Sequence, residues 1–269
     1  MTRFSLILLL TLFAFSSAQN PFSCVDAKFQ GCQYNLAQQI GLNDTVSSKL
    51  FKDYTIMYNY FLWMTGKNPG TTQDMLTVCN GLETFNLCNH GNQGCLDISN
   101  LIQKTDINNA YGVEATYRQY QRFNCGPGIN TLIHEGLSCP QRVVSNYQLY
   151  LQTCVASYET SVANDQANGC TYAQTLMNCW SAPFQTASCG SENGIAVWWA
   201  CEQNKVFAQT TFPSCPLSCD EKFGPFTGSH ANYMDTHHKI ENGVHFFKVS
   251  NHVEKVDGKL VEVEGVWMS

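Results

Sequence analysis

The chain has 269 residues, 14 cysteines and a net charge of −6 at pH 7. That length holds one large or two small domains, each with its own core. With no gathered cluster of Lys and Arg, the acidic balance excludes nucleic acid as a partner, because phosphate binding needs basic side chains collected on one face.

Residues 1–18 read as a signal peptide. Arg3 supplies the positive start, Phe4 to Phe15 the apolar stretch, and Ser16 and Ala18 the small residues that a signal peptidase requires. Gln19 is therefore the expected first residue of a secreted, extracellular protein. The stretch is about twelve residues, short of the roughly twenty that cross a bilayer. Beyond it the longest wholly apolar run is Ile195 to Ala200, so no membrane span is expected in the mature chain. The polar C-terminus lacks the hydrophobic tail of a lipid-anchor signal.

All the cysteines follow the signal: Cys24, Cys32, Cys79, Cys88, Cys95, Cys125, Cys139, Cys154, Cys170, Cys179, Cys189, Cys201, Cys215 and Cys219. An even set in an exported chain reads as a disulfide framework. Metal binding competes with that reading, but zinc ribbons and fingers use CxxC pairs, and the chain has none. Each bridge contributes about 2–4 kcal/mol against a net domain stability of about 5–15 kcal/mol, so reduction is expected to collapse the fold.

In chain order, Asn43-Asp44-Thr45 comes first, the only N-x-S/T sequon present. It marks Asn43 for glycosylation, and Asp44 or Thr45 can cap a helix. Val46, Leu50, Tyr54, Met57, Phe61 and Met64 step by three or four, predicting one helix that ends at Gly66. A second helix runs from Thr71-Thr72 to about Cys88. Cys79 and Cys88 would lie about 13.5 Å apart along an unbroken helix, beyond the roughly 7 Å a bridge allows, so each should reach a different neighbour. The run from Asn89 to Gly94 is a loop. Ala110, Val113, Tyr117 and Tyr120 predict a third helix ending near Cys125, after which Gly126-Pro127-Gly128 must turn the chain.

Ser138 then caps and Pro140 occupies the first turn of a helix whose apolar face is Val144, Tyr147, Leu151, Cys154, Tyr158 and Val162. Cys154 should bond inward from that face. The interval from Cys170 to Cys179 repeats that from Cys79 to Cys88, and a third cysteine follows each, which suggests repeated helical hairpins. A last helix spans roughly 194 to 208, with Ile195, Trp198, Trp199 and Phe207 expected in the core.

After Cys219 the composition shifts to a cysteine-free, charged tail, residues 220–269. Val253 to Val263 alternates around Asp257-Gly258, a strong hairpin signal, and the tail is expected to be mobile unless it docks. His237, His238 and His245 offer a weak transition-metal site there.

No chain-wide signature of catalysis appears: there is no nucleophile elbow, zinc helix, P-loop or dinucleotide fingerprint. His90 and His134 are the histidines outside the tail, and each reads as an ordinary loop residue. No catalytic residue and no cofactor are expected.

Asn20-Pro21-Phe22-Ser23-Cys24, Phe123-Asn124-Cys125-Gly126-Pro127-Gly128 and the helical hairpins with spaced cysteines resemble nematode secreted cysteine-rich proteins of the chondroitin proteoglycan 4 type domain family, across about residues 20–219. The resemblance implies an extracellular, non-catalytic role in matrix, eggshell or secreted fluid. The chain departs from it in having no Ser-Gly dipeptide, the chondroitin attachment signal.

The sequence thus predicts an all-α, disulfide-rich helical bundle of two similar subdomains, residues 19–125 and 126–219, with a C-terminal tail able to form a β-hairpin. Its expected partner is an extracellular protein, a glycan or an apolar ligand. A secreted hydrolase of unrecognised type and an apolar-ligand carrier are the alternatives.

Overall fold

A computed structural model describes residues 24–129, 132, 138–187, 189 and 195–219, together with the backbone of five strands between 238 and 268. Residues 1–18, expected as a signal peptide, and His134 lie outside the described residues, as do residues 220–237 at the expected start of the tail. The helical part is all-α and disulfide-rich, with ten α-helices among the described residues.

In the first half, α1 (Asp26–Gln39), α3 (Tyr54–Gly66), α4 (Gln73–Cys88) and α6 (Ile107–Gln119) carry the packing, joined by the short α2 (Asp44–Ser47) and α5 (Ile98–Leu101). Their apolar faces meet in a core where Phe51 stacks on Phe85 at 4.9 Å and meets Phe29 edge-on at 5.2 Å. Such aromatic pairs add about 0.5–1.5 kcal/mol beyond area burial.

The single helix expected from Val46 to Gly66 is in fact two. Asn43, not Asp44 or Thr45, caps α2 by accepting from Val46 N at 3.0 Å. Asp53 restarts the helix by accepting from Thr55 N at 3.0 Å. Leu50 and Phe51 keep their buried positions in the intervening turns, so the apolar spacing survives without helix between.

The second half contains α7 (Ser138–Asn146), α8 (Gln148–Asn164), α9 (Gly169–Thr186) and α10 (Ile195–Thr211). The long face expected after Ser138 is likewise divided, with Tyr147 at φ −112°, ψ 17° separating α7 from α8. Trp198, Trp199 and Phe207 lie in the core as expected. The turn expected at Gly126 is a widened helix: a π-helical stretch, Tyr120–Gly128, continues α6 with a kink at Gly126 (φ −125°, ψ −112°). Gly128 must lack a side chain there, since a Cβ would come within 2.8 Å of the Phe123 carbonyl oxygen.

The seven bridges divide cleanly between the halves. Cys24–Cys95, Cys32–Cys88 and Cys79–Cys125 close the first half. Cys139–Cys189, Cys154–Cys179, Cys170–Cys215 and Cys201–Cys219 close the second. Cys79 and Cys88 reach different neighbours, as the helix geometry required.

The order of pairing is also shared. In the first half the first cysteine meets the fifth, the second the fourth and the third the sixth. With Cys201–Cys219 set aside, the second half repeats that order. Six cysteines allow about fifteen pairings, and the two halves use the same one once Cys201–Cys219 is left out.

Since no bridge crosses, a protease site inserted within residues 130–137 should, once cut, release two fragments on a non-reducing denaturing gel. One band that separates only after reduction would contradict this pairing.

In the tail, β3 (His252–Val256) and β4 (Lys259–Val263) pair antiparallel with Val256 opposite Lys259, at the expected hairpin. β1 (His238–Glu241), β2 (Val244–Lys248) and β5 (Trp267–Met268) form a further three-stranded sheet in the order β1-β2-β5. Strand β5 lies against the π-helical stretch.

Candidate functional site

All fourteen cysteines are bridged and none is free. Thiolate catalysis and thiolate metal ligation are thereby closed to them, because both need an unbridged sulfur. Cys24, Asp26 and Cys95 bring a ligand atom each to within 4.8 Å of one another. The two sulfurs form one disulfide, and Lys104 Nζ makes an ion pair with Asp26. The cluster is a stapled corner with its carboxylate already neutralised.

Of the histidines expected in a metal site, His237 lies outside the described residues. His238 and His245 fall on the neighbouring strands β1 and β2, with Ile240 opposite His245 and His238 opposite Phe247, and their side chains lie outside the described residues. His90 is exposed on the loop after α4, where its carbonyl accepts from Lys28 Nζ at 2.7 Å. Asn43 is exposed at the start of α2.

The polar chemistry that the structure brings together sits at the seam between the halves. Tyr58 on α3 is fully enclosed, and its hydroxyl accepts from Trp180 Nε1 on α9 at 2.8 Å. Phe207 on α10 lies between Tyr58 and Tyr158, with ring centroids 6.0 and 6.1 Å away. Nearby, Gln141 on α7 accepts from Gly70 N at 2.6 Å and donates to the Thr71 carbonyl at 2.8 Å. At Gly66 the backbones of the two halves come close, as a Cβ there would meet Ser145 N at 2.8 Å. The halves are thus locked by directional contacts at points where a larger or apolar residue would not fit.

Glu159 on α8 is the unusual group. Burial pushes its carboxyl up to about 8, and its charge acts on two phenols, Tyr54 and Tyr158. Tyr54 is pushed up to about 12 by burial first, then by Glu159 and Asp53. The Tyr158 hydroxyl is raised by burial and then by Glu159, and is drawn back in part by the Thr211 side chain. By accessible surface the side chain is only half-buried, and this partial removal from water is what disfavours the ionised form.

Sequence reasoning missed this group, yet its signal was present. Val155, Tyr158, Glu159 and Val162 fall at the i, i+3, i+4, i+7 positions of one stripe, so a carboxylate occupies an apolar helical face. Glu114 on α6 is buried outright, and its carboxyl is raised by burial and drawn back by its ion pair with Arg118. There the cation is supplied, and the pair is structural.

Along the seam of α6, the π-helical stretch and α10, Gln203 Oε1 accepts from Gln119 Nε2 at 3.4 Å and from Asn124 Nδ2 at 3.3 Å. Gln119 Oε1, Asn124 Oδ1, Gln203 Nε2 and Asn204 Oδ1 are buried without a protein partner, which is the setting in which ordered water completes a network.

The fold and this set of residues define a disulfide-stapled, all-α protein of two linked halves. No protein-family model, no curated protein and no solved structure matches the chain. No helix among the described residues is long and apolar enough to cross a membrane.

Proposed function

We propose that the protein is exported through an oxidising compartment, loses residues 1–18, and serves outside the cell as a non-catalytic structural or binding protein. The observation that carries this reading is the complete pairing of fourteen cysteines, since a reducing cytosol does not sustain such a set. The signal-like start, Arg3 through Ala18, agrees with it. A non-catalytic role is supported by what the functional groups are already doing. The sulfurs are bridged, Glu114 is held by Arg118, and Trp180 is stacked on Phe184 at 5.3 Å and packed against Trp199 at 5.9 Å.

The resemblance of residues 20–219 to nematode secreted cysteine-rich proteins of the chondroitin proteoglycan 4 type is part of this proposal. It points to a matrix, eggshell or secreted-fluid component whose partner is another extracellular protein, a glycan or an apolar ligand. The absence of Ser-Gly argues that no chondroitin chain is attached.

The test is the mass of the protein recovered from the medium of a eukaryotic secretory host. It should begin at Gln19 and gain two hydrogens for each of the seven bridges on reduction. A chain that reaches the medium with most thiols free would sink the reading.

A further inference from the structure

Asn43 has two roles open to it that do not compete. Its side-chain oxygen caps α2 by accepting from Val46 N at 3.0 Å. Its amide nitrogen remains on an exposed residue, inside the Asn43-Asp44-Thr45 frame that oligosaccharide transfer reads. Beside it, Asp44 is held by Gln38 Nε2 at 2.6 Å. The Asp44 charge also holds the hydroxyl of Tyr34 on α1 above the ordinary phenol range. Tyr34 is 46% exposed, one turn before Gln38 on α1.

We infer that Asn43 carries an N-linked glycan whose first sugar stands beside the ring of Tyr34, leaving the α2 cap intact. The inference rests on the proposed export, because the donor exists only in the secretory pathway. That donor is a lipid-pyrophosphate-linked oligosaccharide with N-acetylglucosamine at its reducing end. Asn43 Nδ2 forms a bond to C1 of that sugar, and the bond from C1 to the pyrophosphate oxygen breaks. The lipid pyrophosphate leaves with the electron pair, and Nδ2 gives up one proton. The amide oxygen takes no part in the new bond, so the Val46 contact is retained. An apolar sugar face can then cover an aromatic ring that is otherwise exposed.

The full chain, residues 1–269, is expressed in a eukaryotic secretory host and its secreted form treated with peptide N-glycosidase in 18O water. Loss of a whole glycan mass with an 18O-labelled Asp at position 43 is expected. T45A and N43Q should both lack the glycan, while T45S keeps it. N43Q should melt below T45A, because T45A retains the cap and glutamine cannot reproduce it.

In a double-mutant cycle, Y34A should lower the melting temperature more in the glycosylated protein than in T45A. Equal effects in the two backgrounds would overturn the Tyr34 contact. Secreted protein without sugar at Asn43 would overturn the inference and leave export standing. Unglycosylated chain retained in the cells with free thiols would overturn both.

Discussion

Replacing Glu159 with glutamine should leave stability unchanged near about pH 4 and raise it above about pH 8. The native carboxyl is pushed up to about 8 by burial, whereas in the unfolded chain it titrates near its ordinary value of 4.5. Between those values the folded state binds the proton and the unfolded state does not. The stabilisation this proton provides is therefore complete below the unfolded value and is lost as pH rises through the folded one. A displacement of that size corresponds to at most about 5 kcal/mol, and relaxation of the site lowers the figure.

Glutamine keeps the shape and stays neutral, so the variant escapes the loss. Unfolding of both proteins in guanidinium chloride, disulfides intact, across about pH 4 to 9 measures the difference directly. Parallel curves for the two proteins would show that Glu159 is hydrated and has an ordinary carboxyl.

Truncating Trp180 to alanine should cost about 3–5 kcal/mol, the usual range for deleting a buried indole, which is a large part of a domain's whole stability of about 5–15 kcal/mol. The ring is 1% exposed, stacks on Phe184 and packs against Trp199 with centroids 5.9 Å apart. Its removal also takes away the donor to the Tyr58 hydroxyl, leaving a buried phenol unpaired on the other half. Tyr58→Phe isolates that bond, keeping the aromatic volume and orphaning Trp180 Nε1, and is expected to cost about 1–3 kcal/mol. If denaturant titration finds Trp180→Ala within about 0.5 kcal/mol of the native chain, the seam does not bind the halves as described.

Much of the architecture could be read from the residues alone, because helices that bury one face must repeat their apolar positions every three or four residues. Met57, Phe61 and Met64 on α3 and Trp198 and Phe207 on α10 lie in the core for that reason. The breaks were harder to see. Leu50 and Phe51 keep a helical spacing while lying in turns, since burial rewards where a side chain ends up and not the backbone that delivers it. Asp53 could be recognised as a cap only once the residues before it were seen to leave the helix.

Glu159 shows the same limit for chemistry. The stripe holding it is plain in the sequence, but its coupling to Tyr54 is not, because that phenol arrives from a helix about a hundred residues earlier.

By itself, the sequence determined that this is a helical, cysteine-paired chain with an export-like start and a strand-forming tail, because composition and periodicity depend only on near neighbours. Which cysteine meets which, and the pairing order common to the halves, came only from the tertiary structure. So did the seam of Tyr58, Trp180, Gln141 and Glu159. Those features require residues far apart in the chain to come within a few ångströms, and local spacing carries no record of such distances.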